Sequence, residues 1–208
     1  HSIVKLTVEQ KGFVHGSLIL DNAGYESTGK YQGTMYVSFS QLAGLNDTLS
    51  ASITKDIGHH GDGHGSKQYA VNYAVPDGNR TYRLSTYQYS YHQLVFMPEA
   101  FRSSGNTRGI EFSVEQVLNR TSRSKTAAVA KVIHKTRHSY IDDIEIGVQE
   151  QHTTALELGL SHRQYSGNTM SDIYLFYRQG IRGLGATVRS WEGVADNPTT
   201  LYKMAGLE

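Results

Sequence analysis

The sequence has 208 residues and no cysteine, so neither a disulfide framework nor a thiolate metal site is available. Lysine and arginine number 20 against 19 for aspartate and glutamate, and this balance gives no basic excess that would favour nucleic acid as a partner. No run approaches the roughly 18 apolar residues of a membrane helix, whereas 14 tyrosines and 21 glycines suit many short strands and turns.

The first predicted elements are strands of alternating polarity. Residues 3–9 alternate between apolar and polar side chains, which predicts a short strand that ends at Gly12 and could close a small preceding domain. A second strand is predicted over residues 13–21, with a turn-rich segment after it. The clearest strand covers residues 30–40, and one of its faces is apolar: Tyr31, Met35, Val37 and Phe39. Such a face requires apolar surroundings, so we predict that these four side chains contact lipid.

The same period of two recurs along the rest of the chain. Strands are predicted around 49–56, 69–75, 83–94, 110–115, 126–136, 156–161 and 172–178, and residues 201–208 begin another. Polar side chains occupy the second face of these strands, and we predict that the following line a hydrated passage: Gln32, Thr34, Ser38, Ser52, Thr54, Asn72, Gln88, Ser90, Glu111, Ser113, Glu115 and Glu157. Tyr87, Tyr89 and Tyr91 lie opposite Gln88 and Ser90 and are predicted to form an interfacial girdle against lipid.

The predicted connections alternate in length. Those over 42–47, 76–80, 119–125 and 166–169 are short, whereas those near 58–66, 96–108, 138–152 and 180–199 are longer. Short turns at one rim and longer loops at the other are typical of a transmembrane barrel, and strands of about ten residues match the thickness of a bilayer. The pattern therefore predicts an all-β fold, an antiparallel up-and-down transmembrane β-barrel, over a soluble barrel.

Several segments resemble one known family, and they do so in chain order. Residues 18–29 read Leu-Ile-Leu-Asp-Asn-Ala-Gly-Tyr-Glu-Ser-Thr-Gly, and Lys-Tyr-Gln-Gly follows. Further segments are Gly-Leu-Asn-Asp at 44–47, the turn from Pro76 to Gly78, and His-Ser-Tyr-Ile-Asp-Asp at 138–143. Together they resemble the two-partner-secretion transporters, the exporters of filamentous haemagglutinin, haemolysins and contact-inhibition toxins. The resemblance covers nearly the whole chain.

In that family, two periplasmic POTRA domains bind the unfolded substrate, and a sixteen-stranded barrel conducts it outwards. The resemblance implies that residues 1–10 end a POTRA-like domain and that residues 13–208 are the N-terminal portion of the barrel, with nine strands and the start of the tenth. It also implies non-enzymatic secretion of a large unfolded partner protein through the outer membrane of a Gram-negative cell, with outer-membrane lipid around the barrel and no cofactor. The family's Val-Arg-Gly-Tyr motif has no match, since Gly-Ile-Arg-Gly at 180–183 is only superficially similar.

Two clusters contain metal-ligating residue types. The segment 59–64 supplies three histidines and one aspartate, but its glycines leave them unorganised, and a polar external loop is the simpler interpretation. Asp142, Asp143 and Glu145 lack the glycine and glutamate spacing of an EF-hand. We therefore predict no metal site.

Two other functions stay open at this point. A passive porin-like or adhesion barrel would share every strand pattern, although it has no reason to begin with a strand outside the barrel, as residues 1–10 suggest. An outer-membrane hydrolase would need catalytic groups that the fold brings together, because adjacent Ser161 and His162 in one strand point to opposite faces.

Overall fold

The computed structural model describes residues 12–58, 63–97, 99–186 and 202–207. Regular structure within these ranges is β-strand apart from one 3-10 helix of three residues, Gly147–Gln149. Among the described residues no helix is both long enough and apolar enough to cross a membrane. The strand predicted at 3–9 and parts of the loops predicted near 58–66 and 180–199 lie outside the described residues.

The described residues form one antiparallel sheet. Its strands are β1 Val14–Asp21, β2 Gln32–Ser40, β3 Thr48–Asp56, β4 His64–Asp77, β5 Arg80–Met97, β6 Glu99–Arg120, β7 Ser124–Ile141, β8 Ile144–Glu145, β9 Gln151–Ser166, β10 Thr169–Ile181 and β11 Lys203–Leu207. Each pairs with its neighbour along the chain, except that short β8 pairs only with β7 and β9 takes the next place in the sheet. The sheet is open, with β1 and β11 at its edges, and the predicted up-and-down antiparallel fold is confirmed.

Side chains alternate between two faces of the sheet, because a strand places successive residues on opposite sides. Through the pairing register, one face, called here the outer face, carries large apolar side chains that remain exposed: Leu18, Leu20, Met35, Ile53, Val71, Leu84, Ile110, Phe112, Leu156, Leu158, Leu160, Ile173, Leu175, Tyr177 and Leu207. The other face, the inner face, holds most of the buried side chains in the strands, among them Ser38, Ser113, Ala127, Ala155, Glu157 and Phe176. This difference in exposure indicates that the sheet curls around the inner face.

Three central strands are longer than the sequence pattern predicts. β5, β6 and β7 have 18, 22 and 18 residues, whereas roughly 9–11 residues suffice to cross a bilayer. The long loop predicted near 96–108 is wrong, because Phe96 pairs with Ala100 and the ladder continues without a break from there. The segment 103–106 contains glycine and asparagine, which are depleted in strands, but its residues nevertheless pair with β5, for example Gly105 with Tyr91.

The prediction that Tyr87, Tyr89 and Tyr91 face lipid is also wrong. They pair with Gly109, Thr107 and Gly105 and lie on the inner face. The physical reason is the length of β5: the outer face turns polar where the strand extends beyond a bilayer's thickness, so the more apolar side of this stretch is the inner one. Side-chain polarity therefore does not identify the lipid-facing side there.

Glycines beneath the tyrosine rings make this packing possible. A Cβ atom at Gly109 would overlap the ring of Tyr87, and one at Gly105 would overlap Tyr91. We expect Gly109→Ala to lower the free energy of unfolding by about 1–3 kcal/mol, the usual cost of overpacking, as measured by the urea midpoint of the refolded protein. Gly16→Ala is the matched control, since its Cβ would meet only Tyr36 O, at 3.7 Å. Equal midpoints for the two variants would contradict this packing.

Candidate functional site: the inner face

The inner face brings together ten of the twelve residues predicted to line a passage. Gln32, Thr34, Ser38, Ser52, Thr54, Asn72, Glu111, Ser113, Glu115 and Glu157 share this face through the register of β2 to β9. Gln88 and Ser90 do not, because they pair with Arg108 and Asn106 on the outer face. The prediction that Gln88 and Ser90 share a face with the other ten residues is therefore wrong. The reason is the one given for the tyrosines: the outer face of the long strand β5 becomes polar.

The four residues predicted to contact lipid lie on or next to the outer face, where Met35, Val37 and Phe39 pair with Ile53, Ala51 and Leu49.

The wall formed by β2 to β4 is polar and uncharged at its centre. The hydroxyl oxygens of Thr34 and Thr54, directly opposite each other, lie 2.9 Å apart. The amide of Gln32 donates to Gly29 O at 2.6 Å and to Ser66 Oγ at 3.3 Å. Such groups offer hydrogen bonds without attracting either sign of charge.

The wall formed by β6 to β10 is charged, and Glu157 is its centre. This side chain is only 1% exposed. Its Oε1 accepts a hydrogen bond from Tyr174 Oη at 2.7 Å and lies 2.9 Å from Lys131 Nζ. Its Oε2 accepts from Arg178 Nε at 2.7 Å and lies 2.5 Å from Nη2. Buried charges occur in proteins when they are paired in this way.

The register explains how these groups meet. Lys131 on β7 and Arg178 on β10 are both directly opposite Glu157, one on each side of β9. Lys131 Nζ also lies 5.1 Å from the centre of the Tyr174 ring, and the Arg178 guanidinium lies 5.4 Å from that of Phe176. The sequence analysis did not identify Lys131 as a site residue, although a signal was present. The alternation of its strand places this lysine on the same face as Val129 and Ile133, and a lysine among apolar side chains requires an acidic partner.

Further ion pairs continue along the same face. Lys125 Nζ lies 2.5 Å from Glu115 Oε1. Arg163 binds Asp172 through two hydrogen bonds, of 2.6 and 3.2 Å. The acidic and basic groups named here pair with one another, so these pairs contain no activated nucleophile.

The pair of residues considered for hydrolysis is separated by the sheet. Ser161 faces Tyr174 on the inner side, and His162 faces Ile173 on the outer side. His162 Nδ1 instead lies 2.9 Å from Thr126 Oγ1. No nucleophile and base pair forms between these two neighbours.

Two of the segments that resemble the family contain turns. Asp47 ends a turn with positive φ at Gln41, Gly44 and Asn46. Burial of its carboxylate raises the pKa, but hydrogen bonds from the N–H groups of Ala43 and Leu45 outweigh this and lower the pKa of Asp47 below its ordinary value. In the second segment, Asp142 accepts a hydrogen bond from Arg102 N at 2.8 Å.

Comparison with known proteins identifies similar chains. The family model described as haemolysin secretion/activation protein ShlB/FhaC/HecB matches residues 1–207. Outer membrane transporter CdiB-2 of Burkholderia pseudomallei (strain 1026b) is 33% identical over 190 residues, which are 91% of this chain and 32% of that protein. Hemolysin transporter protein HpmB of Proteus mirabilis is 24% identical over 189 residues, 89% of this chain and 33% of that protein. The chain spans about a third of the length of these relatives.

Solved structures show the same architecture. CdiB from Escherichia coli superposes with a TM-score of 0.87 at 23% identity, covering 97% of this chain and 37% of that one. CdiB from Acinetobacter baumannii gives a TM-score of 0.70 at 30% identity, covering 81% of this chain and 32% of that one. The first likeness is one of fold.

Proposed function

The chain belongs to the haemolysin secretion/activation family ShlB/FhaC/HecB, and we propose that it is part of an outer-membrane β-barrel that secretes a large partner exoprotein. The partner would be of the haemolysin, adhesin or contact-inhibition toxin type and would pass in unfolded form. The surrounding medium is the outer-membrane lipid of a Gram-negative cell. Residues 13–208 would supply the N-terminal portion of the barrel, and residues 1–10 the end of a periplasmic POTRA-like domain.

One observation carries this proposal: the sheet exposes a continuous apolar band on its outer face while its inner face is polar. Met35 is 62% exposed, Leu158 65% and Leu18 69%. An exposed apolar patch of this extent marks a surface that contacts lipid or protein. Within the described residues β1 and β11 each pair with one strand only, and backbone groups at such edges have to be paired in a membrane.

The inner face suits passage of an extended chain better than catalysis. Its neutral part offers hydroxyl and amide groups, and its charged part consists mainly of acids and bases already paired. Contacts of this kind are individually weak and distributed, so a moving chain meets no single strong binding group. We therefore propose a non-enzymatic pore without a cofactor, in which folding of the substrate outside drives movement.

The test is secretion of the partner protein by the full-length transporter in a host without its own exporter. We expect single alanine substitutions of Thr34, Ser52 or Asn72 to leave the secreted amount nearly unchanged. Deleting the upstream periplasmic modules should abolish secretion while the barrel still assembles in the outer membrane. Loss of secretion from one of these alanine variants with normal assembly, together with cleavage of a lipid or peptide by the purified protein, would favour the hydrolase. Unchanged secretion after the deletion would contradict the exporter assignment.

A further inference from the structure

The ends of β7 and β9 bring together two imidazoles and one carboxylate on the outer face. These belong to His138, Glu150 and His152, and one ligand atom from each lies within 4.8 Å of the other two. From this geometry we propose that the cluster binds a divalent transition-metal ion of the zinc type. The inference is independent of the secretion activity.

The pairing of β7 with β9 explains the convergence. Thr136 lies opposite His152 in this antiparallel ladder, and the same register continued by two residues places 138 opposite 150. Residues that are directly or diagonally opposite on one face are within reach of each other. Glu150 and His152 are two residues apart, but His138 belongs to another strand, so the sequence contains no short motif for this cluster, and the sequence alone predicted no metal site.

The distances fit an ion with nitrogen and oxygen ligands. His152 Nε2 and Glu150 Oε1 are 3.0 Å apart. Ligands about 2.1 Å from a tetrahedral zinc ion are roughly 3.4 Å from one another, so this pair nearly has the required spacing. His138 lies edge-on to His152 with ring centres 5.9 Å apart, and one of its ring nitrogens already lies within 4.8 Å of a ligand atom of each of the other two residues.

Glu145 supplies the supporting contact that metal-binding histidines usually have. Its Oε1 lies 2.7 Å from Nδ1 of His138. When a histidine binds a metal, its other ring nitrogen generally donates to a carboxylate or carbonyl, which fixes the tautomer. This contact would leave Nε2 of His138 for the ion.

Ligand chemistry favours zinc over magnesium or calcium, and the cluster is open to solvent. Imidazole suits zinc, copper and nickel, whereas the hard cations prefer sites built entirely from oxygen. The side chains of His138, Glu150 and His152 are 32%, 29% and 25% exposed, so an ion and a water ligand can reach them. A bound ion would tie β7 to the segment that precedes β9.

The experiment is a calorimetric titration of the full-length protein in detergent with zinc chloride, using protein without a histidine tag. We expect His138→Ala and His152→Ala each to bind one zinc equivalent fewer than the unmodified protein. His162→Ala should retain the full number, because this histidine lies on the same face of β9 but bonds to Thr126. A heat-modifiable band on a denaturing gel verifies that each variant is folded, and His152→Gln serves if the alanine variant does not fold.

Equal zinc stoichiometry in all folded variants would overturn the proposal and leave these residues as hydrogen-bonding partners only. Magnesium chloride that displaces the zinc at similar concentration would also overturn it. Intense visible absorption on addition of cobalt chloride, absent from His152→Ala, would support a four-coordinate site.

Discussion

Met35→Arg is expected to reduce the folded, membrane-inserted fraction of the full-length protein far more than Thr34→Arg. Met35 lies on the outer face between Leu18 and Ile53 and is 62% exposed. Arginine at a lipid-facing position near the midplane costs roughly 2–4 kcal/mol, which corresponds to about a 30- to 700-fold change in the folding equilibrium. Thr34 lies on the inner face, where a guanidinium can remain hydrated.

The comparison is made by folding both variants into lipid vesicles and measuring the folded fraction against urea concentration. Thr34→Arg loses the hydrogen bond to Thr54, which is worth about 1 kcal/mol, so a small decrease is expected there. Equal folding of the two arginine variants would refute the assignment of the outer face to lipid.

The fold was predictable wherever a strand stays within the thickness of a bilayer. In β2 the apolar and polar sides separate completely, and the pairing of Met35 with Ile53 and of Thr34 with Thr54 follows from matching like faces. In β5 the rule fails past Thr86, because both sides of the extension can meet water. The alternation of side chains still predicts a strand in this extension, but the polarity of the side chains no longer indicates which of them lie on the outer face.

The inner-face contacts were less predictable, since they depend on register. Glu157 was identified as an inner polar residue, but its burial beneath Lys131, Arg178 and Tyr174 requires three strands aligned to the residue. The same holds for His138 and His152, whose proximity follows from one register and from no local spacing. A slip of one residue would send each of these side chains to the other face.

The second large effect is expected at Glu157. Glu157→Ala would leave Lys131 and Arg178 facing each other across β9 without their shared anion. Breaking a buried ion pair costs several kcal/mol, and we expect about 3 kcal/mol, the low end of that range, because the side chains of Lys131 and Arg178 are 23% and 29% exposed and can turn towards water.

Glu115→Ala is the matched control, because it removes an acid from a pair on the same face whose side chains are 36% and 29% exposed. A pair on the surface contributes about 1 kcal/mol or less, and this pair is far more open to water than Glu157, so the urea midpoint of the refolded full-length protein should fall much less in this variant. Adding Lys131→Met to Glu157→Ala should restore part of the lost stability, since it removes one of the two cations that the missing carboxylate leaves unpaired. If Glu157→Ala and Glu115→Ala had the same midpoint, or if the second substitution lowered stability further, Glu157 would not be the centre of the charged wall.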